Sequence, residues 1–258
     1  IEPSSLTIDP MAVEAAITTQ TEAIMATHVF GNPCDVEVLE RIAEKYGLAL
    51  IFDAAHAFGV RINGKSILEY GDISMVSLHA TKLFHTIEGG FVVATNSELS
   101  GKMEWMRRFG HKGLDDFYGV GINAKMNEFQ AAMGLCNLQH IDYIMSTRRN
   151  MVAAYHEQMS SALSVKFAFD LRKNTEWNNA YYPVLFDSEN ELLEAMDSLA
   201  SQKIVPRRYF YPSLEQIFSN STSRNDCPRS KDIASRIMCL PLFASDDLEF
   251  IQRIFSVL

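Results

Sequence analysis

Lys82 is the residue whose type and setting could support covalent chemistry. It ends the run Ser77-Leu78-His79-Ala80-Thr81-Lys82, just after an apolar, strand-like stretch at residues 73–78 and shortly before Gly89-Gly90. A strand carries such a lysine towards the interior, where burial lowers its pKa and frees the amine to act as a nucleophile. An amine of that kind forms a Schiff base with a carbonyl carbon. The competing reading is a lysine that merely snorkels its charge to solvent from a strand end. Asp53 supplies a second group. It follows the apolar run 48–52 and precedes Ala54-Ala55-His56-Ala57-Phe58-Gly59. Ligands of open α/β sheets collect at the carboxyl ends of strands, so Asp53 occupies the right class of position, although alone it could equally cap a turn. A third group is Asn123, which opens a helical pattern after the glycine-containing loop 109–122, a loop too long to be an idle connection.

Positioning these groups requires alternating strands and helices. Asp9-Pro10 marks the start of a helix over 11–19, and residues 22–30 read as a buried strand ended by Gly31-Asn32-Pro33. Asp35 can cap a helix over 36–46, with Val38, Leu39, Ile42 and Ala43 opposite Glu37, Glu40, Arg41 and Glu44. Gly47 ends it, and strands follow at 48–52, 73–78 and 90–95, the last of them able to run antiparallel. The alternation predicts an α/β fold with a mostly parallel central sheet. Helices are expected at 99–108, 123–140 and 142–160, the last exposing Arg148-Arg149 as a solvated basic face. Beyond Leu163 a smaller α+β unit is expected. It comprises an edge strand at 180–186 because of Pro183, a helix at 190–201, a strand at 204–211, a mobile polar loop at 219–226, and helices at 229–238 and 246–257.

Bulk properties restrict the function classes. The 258 residues carry a formal net charge of −9 with no basic run, which argues against a nucleic-acid partner. The four cysteines, Cys34, Cys136, Cys227 and Cys239, have no C-x-x-C pair and no histidine at metal-ligand spacing, so no metal is expected and the thiols read as reduced. No apolar run approaches the ~18 residues of a membrane span, and a cytoplasmic protein is expected.

Read together, Asp53-Ala54-Ala55-His56-Ala57-Phe58-Gly59, then Gly71-Asp72-Ile73-Ser74 running into Ser77-Leu78-His79-Ala80-Thr81-Lys82, then Glu88-Gly89-Gly90, resemble the DegT/DnrJ/EryC1/StrS sugar aminotransferases. The likeness extends through 28–35, 119–134 and Leu240-Pro241-Leu242. It implies a fold-type-I transferase dependent on pyridoxal 5'-phosphate, with helices on both faces of its sheet. Residues 1–140 would form part of the large cofactor-binding domain, and 141–258 a linking long helix and a small C-terminal domain. By resemblance, Lys82 is the Schiff-base lysine and proton carrier, and Asp53 the partner of the pyridine nitrogen. His56 lies beside the cofactor ring, Ser77 bonds the phosphate, and Asn123 reaches the phosphate of a neighbouring subunit, which implies a homodimer with shared sites. The expected reaction moves an amino group, from glutamate, to a keto-sugar on a nucleoside diphosphate, first of all a dTDP-4-keto-6-deoxy sugar. Arg207 and Arg208 are candidate contacts for the anionic substrate. Lys125 departs from the family's arginine, and no stretch here matches the family's N-terminal phosphate-binding turn and stacking aromatic. The alternative is a non-catalytic or regulatory homologue of the same fold. The dehydratase branch, which carries histidine in place of the lysine, is disfavoured by Lys82.

Overall fold

Aspartates set the first helices. The Asp9 carboxylate accepts from the N–H groups of Met11 and Ala12 at the start of α1 (Pro10–Ala16). This helix stops short of residue 19 because Ile17 turns to extended backbone. The strand β1 (Ala23–Thr27) follows, with Ile24 and Ala26 buried but Met25 57 % exposed. The expected buried strand over 22–30 is therefore open on one face, and it ends in a turn over Val29–Gly31 where Phe30 has φ 56°. Asp35 caps α2 (Val36–Tyr46) through the N–H of Val38, and Gly47 closes it at φ 65°. These are the bounds predicted from the apolar stripe.

The strand β2 (Ala49–Asp53) comes next, then the short β3 (Arg61–Ile62) and β4 (Lys65–Ser66). After them come β5 (Ile73–Ser77) and β6 (Gly90–Ala94). The central sheet has the order β1-β2-β5-β6, parallel from β1 to β5. Only β5 and β6 pair antiparallel, closing on Ser77 opposite Gly90, so the loop carrying Lys82 is the connection of a long hairpin.

Asn96 caps α3 (Ser97–Met106), and Asn127 caps α4 (Glu128–Leu138) in a reciprocal arrangement with Gln130. The preceding loop thus extends to residue 127, and the predicted helix start at Asn123 is displaced by the stronger cap. A long α5 (Ile141–Met159) follows. The computed structural model describes residues 1–159, 165–217, 227–245 and 247–258, so the loop expected at 219–226 lies outside the described residues.

The C-terminal part contains β7 (Val165–Phe167), β8 (Thr175–Glu176) and β9 (Tyr182–Phe186). They are followed by α6 (Glu189–Ser201), α7 (Leu214–Ile217), α8 (Pro228–Arg236), β10 (Ile237–Leu240) and α9 (Leu248–Phe255). Pro183 does not mark an edge. β9 is the middle strand of the sheet β10-β9-β7, and Pro183 serves the ladder through its carbonyl, which accepts from the N–H of Ala168 at 3.1 Å. The expected helix 229–238 ends at Arg236 because Ile237-Met238-Cys239-Leu240, all buried, pair with β9. Residues 204–211 make only a bridge between Arg207 and Cys239 rather than a strand.

One apolar core, built around Leu39, Leu50, Phe52 and Ile67, lies under the central sheet. A second joins Tyr155, Tyr182, Leu192 and Ile251 in the C-terminal part. Phe30, Phe169, Leu185 and Ile237 form a third cluster between elements of both regions. Among the described residues no helix is long and apolar enough to cross a membrane.

Candidate active site

Parallel pairing brings the carboxyl ends of β2 and β5 side by side, and the candidate residues gather there. Asp53 ends β2 opposite Met75 of β5. Its Oδ1 accepts from the Ala55 N–H at 2.9 Å and its backbone carbonyl from the His28 N–H at 3.0 Å. The turn after it, closed by Ala57 N–H to the Ala54 carbonyl at 2.9 Å, sends His56 inward. His56 is 9 % exposed, and its Nδ1 accepts from the Phe30 N–H at 3.1 Å. Burial, helped by the charge of Lys82, lowers its pKa to about 3, so the imidazole is neutral. Its ring centroid lies 4.6 Å from that of Tyr181 and 5.5 Å from that of Phe210, both from the C-terminal part. Asn178, fully buried, donates to the carbonyls of His56 (2.8 Å) and Phe58 (2.9 Å), tying this turn to the chain before β9.

The hairpin connection holds Lys82 from below. Leu83 and Phe84 are buried in the first core, with Phe84 stacked on Phe58 at 4.6 Å. The Thr86 N–H closes on the Leu78 carbonyl, and Thr86 Oγ1 donates to the Glu88 carbonyl at 2.7 Å. These anchors leave Lys82 half-buried. Burial draws its pKa below the ordinary lysine value, while the Asp53 carboxylate opposes that fall. Lys82, Asp53 and His56 therefore share one electrostatic neighbourhood, as the spacing of strand ends suggested. Ser77, at the end of β5, is half-buried, and its Oγ accepts from the His79 N–H at 3.3 Å.

The remaining candidates are placed differently from one another. Asn123 is exposed, bridged to Arg108, and its Oδ1 accepts from Lys125 Nζ at 2.6 Å. Among the described residues its hydrogen bond to Lys125 and its bridge to Arg108 do not reach the Lys82 cluster. Arg207 lines a cavity that also includes Thr81 and Tyr181. Arg208 turns away, forming an ion pair with Glu189 and donating to the Ser235 carbonyl at 2.7 Å.

Arg148 corrects the sequence reading. It is no solvated surface charge: its Nη1 donates to the Ala180 carbonyl at 3.0 Å, its Nε is buried without a partner, and it lines the same cavity as Arg207. The signal was available, because residue 148 falls on one helical stripe with Ile144, Met145, Met151 and Val152, which face inward.

The family model of the DegT/DnrJ/EryC1/StrS aminotransferase family matches residues 1–258. A dTDP-4-amino-4,6-dideoxy-D-glucose transaminase of Shigella dysenteriae is 39 % identical over 246 residues, covering 93 % of this chain and 67 % of that protein. An Escherichia coli transaminase of the same name is 31 % identical, covering 100 % and 71 %. The crystal structure of DesI in the presence of its TDP-sugar product superposes with a TM-score of 0.91 at 30 % identity, covering 100 % of this chain and 66 % of that one. The chain thus spans about two thirds of the length of these relatives. An extended match of sequence model, relatives and backbone, on a strand-end cluster of lysine, aspartate and histidine, places the chain in the DegT/DnrJ/EryC1/StrS aminotransferase family.

Proposed function

We propose that the chain forms the lysine-bearing wall of a pyridoxal-phosphate-dependent aminotransferase that moves an amino group from glutamate to the keto group of a nucleotide-linked sugar. The sugar favoured is a dTDP-4-keto-6-deoxyhexose, in keeping with the names and ligand of the relatives above. The observation that carries this reading is the convergence of a half-buried lysine, a carboxylate and a neutral imidazole at the carboxyl ends of two parallel strands. That donor set suits a cofactor with an aldehyde and a basic ring nitrogen. When bound, pyridoxal phosphate supplies an electron sink for the substrate carbon that loses its proton.

The chain's own residues have separable tasks in this reading. The lysine amine of Lys82, made more nucleophilic by burial, holds the cofactor covalently, and its Nζ later accepts and returns the proton of the substrate carbon. Asp53 holds a proton on the ring nitrogen by its negative charge. His56 packs against the ring and stays uncharged, so it does not compete for that proton. Ser77 Oγ bonds the cofactor phosphate. Asn123, on a different surface of this chain, contacts the phosphate of a second copy, which makes the active assembly a homodimer. Exposed apolar side chains in the same stretch of chain support a covering partner, since Leu114 is 94 %, Val120 90 % and Phe129 86 % exposed.

Two measurements test this reading. Adding pyridoxal phosphate to the full-length protein should produce a visible absorbance band that Lys82→Ala lacks while keeping its circular dichroism. A purified protein that shows no band would sink the enzyme reading and favour the non-catalytic homologue. Amino transfer from glutamate should then be assayed against a panel of keto-sugar nucleotides, and failure on all of them would remove the sugar assignment while leaving the cofactor.

A further inference from the structure

The turns after β1 and β2 and the chain before β9 meet at His56, and a chain of hydrogen bonds joins them. Trp177 Nε1 donates to the Phe30 carbonyl at 2.9 Å, and the Phe30 N–H in turn donates to His56 Nδ1 at 3.1 Å. Phe30 stands at φ 56° and ψ 13° in the turn after β1. A phenylalanine is uncommon in that left-handed region, and here bonds at both its N–H and its carbonyl hold it there. The indole is oriented by Phe167 and Phe169, which meet it edge-on with ring centroids 5.9 and 5.7 Å away. Its approach also depends on residue 31. A Cβ on Gly31 would lie 2.7 Å from Asn178 Oδ1 and 3.1 Å from Trp177 Nε1, so a side chain there would push the chain before β9 off the turn.

These bonds fix where a proton sits. A neutral imidazole has one nitrogen that donates and one that accepts. Because a backbone N–H can only donate, His56 Nδ1 must accept, and the single ring proton is on Nε2. A second proton would have to enter at Nδ1, against the Phe30 N–H and against the charge of Lys82. The Asp53 carboxylate acts on Lys82 from the end of β2, and Tyr181, 4.6 Å from His56 between ring centroids, adds no charge because burial raises its pKa. His28 offers a contrast within the same turn. Its Nδ1 also accepts from a backbone N–H, that of Cys34 at 3.0 Å, with no part played by Trp177.

We infer that Trp177 is a positioning residue for His56: acting through the backbone of Phe30, it holds the imidazole as the single Nε2–H tautomer. What this lock serves rests on the aminotransferase reading, because a ring kept in one tautomer presents one fixed polar edge to the cofactor site, whereas a ring that exchanges tautomers does not.

Nuclear magnetic resonance of the full-length protein without cofactor tests it, with phenylalanine and histidine isotopically labelled at nitrogen. Wild type should show a scalar coupling across the hydrogen bond from the Phe30 N–H to His56 Nδ1, together with ring shifts of the Nε2–H tautomer. Loss of these signals in His56→Gln identifies them. Trp177→Phe keeps the aromatic packing and removes the donor. It should abolish the coupling or reduce it at least twofold and move the His56 ring shifts towards a tautomer average, while the His28 signals stay in place. If that variant folds poorly, benzothienylalanine at position 177, which puts sulfur where the indole has N–H, should give the same result. A wild type in the Nδ1–H tautomer, a Trp177→Phe spectrum equal to that of wild type, or equal movement of His28 and His56 would each overturn the inference, the last because it marks general loosening. Pyridoxal phosphate affinity, read by absorbance titration, should be at least threefold weaker in Trp177→Phe, and an unchanged affinity would overturn the role at the cofactor site. The two readings separate. A cofactor band with a coupling indifferent to Trp177→Phe sinks the positioning alone, whereas an intact Trp177-dependent coupling with no band in wild type sinks the aminotransferase reading alone.

Discussion

Acid should unfold this protein through two buried histidines, and the size of the effect follows from their surroundings. His28 is wholly buried, its ring stacked on Phe52 at 4.7 Å and its Nδ1 accepting from the Cys34 N–H at 3.0 Å. Burial, with a smaller push from Arg172, lowers its pKa to about 3. His56 reaches about 3 by burial and the charge of Lys82. Both values lie below the ordinary histidine value of 6.5, so between 6.5 and about 3 the unfolded chain takes up protons that the folded chain refuses. Stability is therefore complete above 6.5 and is lost as pH falls towards 3. At about pH 4.5 each histidine contributes a loss of about 2.7 kcal/mol, taking about 1.36 kcal/mol per pH unit below the unfolded value. Together they remove about 5 kcal/mol, which is comparable with the whole stability of a modest domain at about 5–15 kcal/mol. The assay is urea unfolding followed by circular dichroism at steps between neutral pH and about pH 4.5. His56→Gln keeps an acceptor for the Phe30 N–H but has no proton to gain. Its loss of stability over that interval should be smaller than that of wild type by about 2.7 kcal/mol. Equal losses in the two proteins, or a wild type whose stability is flat over the interval, would refute the reasoning.

Two further substitutions probe how the site is held. Asn178→Ala removes donors to the His56 and Phe58 carbonyls and an acceptor for the Ala180 N–H, leaving buried backbone groups unpaired. A destabilisation of about 2–5 kcal/mol is expected by urea unfolding, with weaker pyridoxal phosphate uptake because the His56 turn is released. Gly71→Ala places a Cβ 2.9 Å from both the Leu50 carbonyl and the Phe52 ring at a backbone φ of +67°, so a loss of about 2 kcal/mol or more in the same assay is expected. A variant as stable as wild type would show that β2 and the turn before β5 can move apart.

Residue order and type pointed to the proposed chemistry before any tertiary contact was known. Asp53 ends the apolar run of β2 and Lys82 follows that of β5, and parallel pairing of those two strands puts both the aspartate and the loop carrying the lysine on one side of the sheet. Asp35 and Gly47 likewise fixed α2 within local sequence, because caps act over a few residues. Signals that depend on distant partners behaved differently. Pro183 suggested an edge, yet β7 and β10 flank its strand, and the pairing with β10 joins residues more than fifty positions apart. Ile237 and Met238 continued a helix pattern until β9 offered their backbone a ladder.

The sequence by itself singled out Lys82 and Asp53 through the apolar runs they follow, and the family resemblance added His56. Only the tertiary structure decided that Arg148 is half-buried, that it lines one cavity with Arg207, and that Arg208 pairs with Glu189. Charge type is written in a residue, whereas desolvation and counter-charge are properties of whatever the fold packs around it.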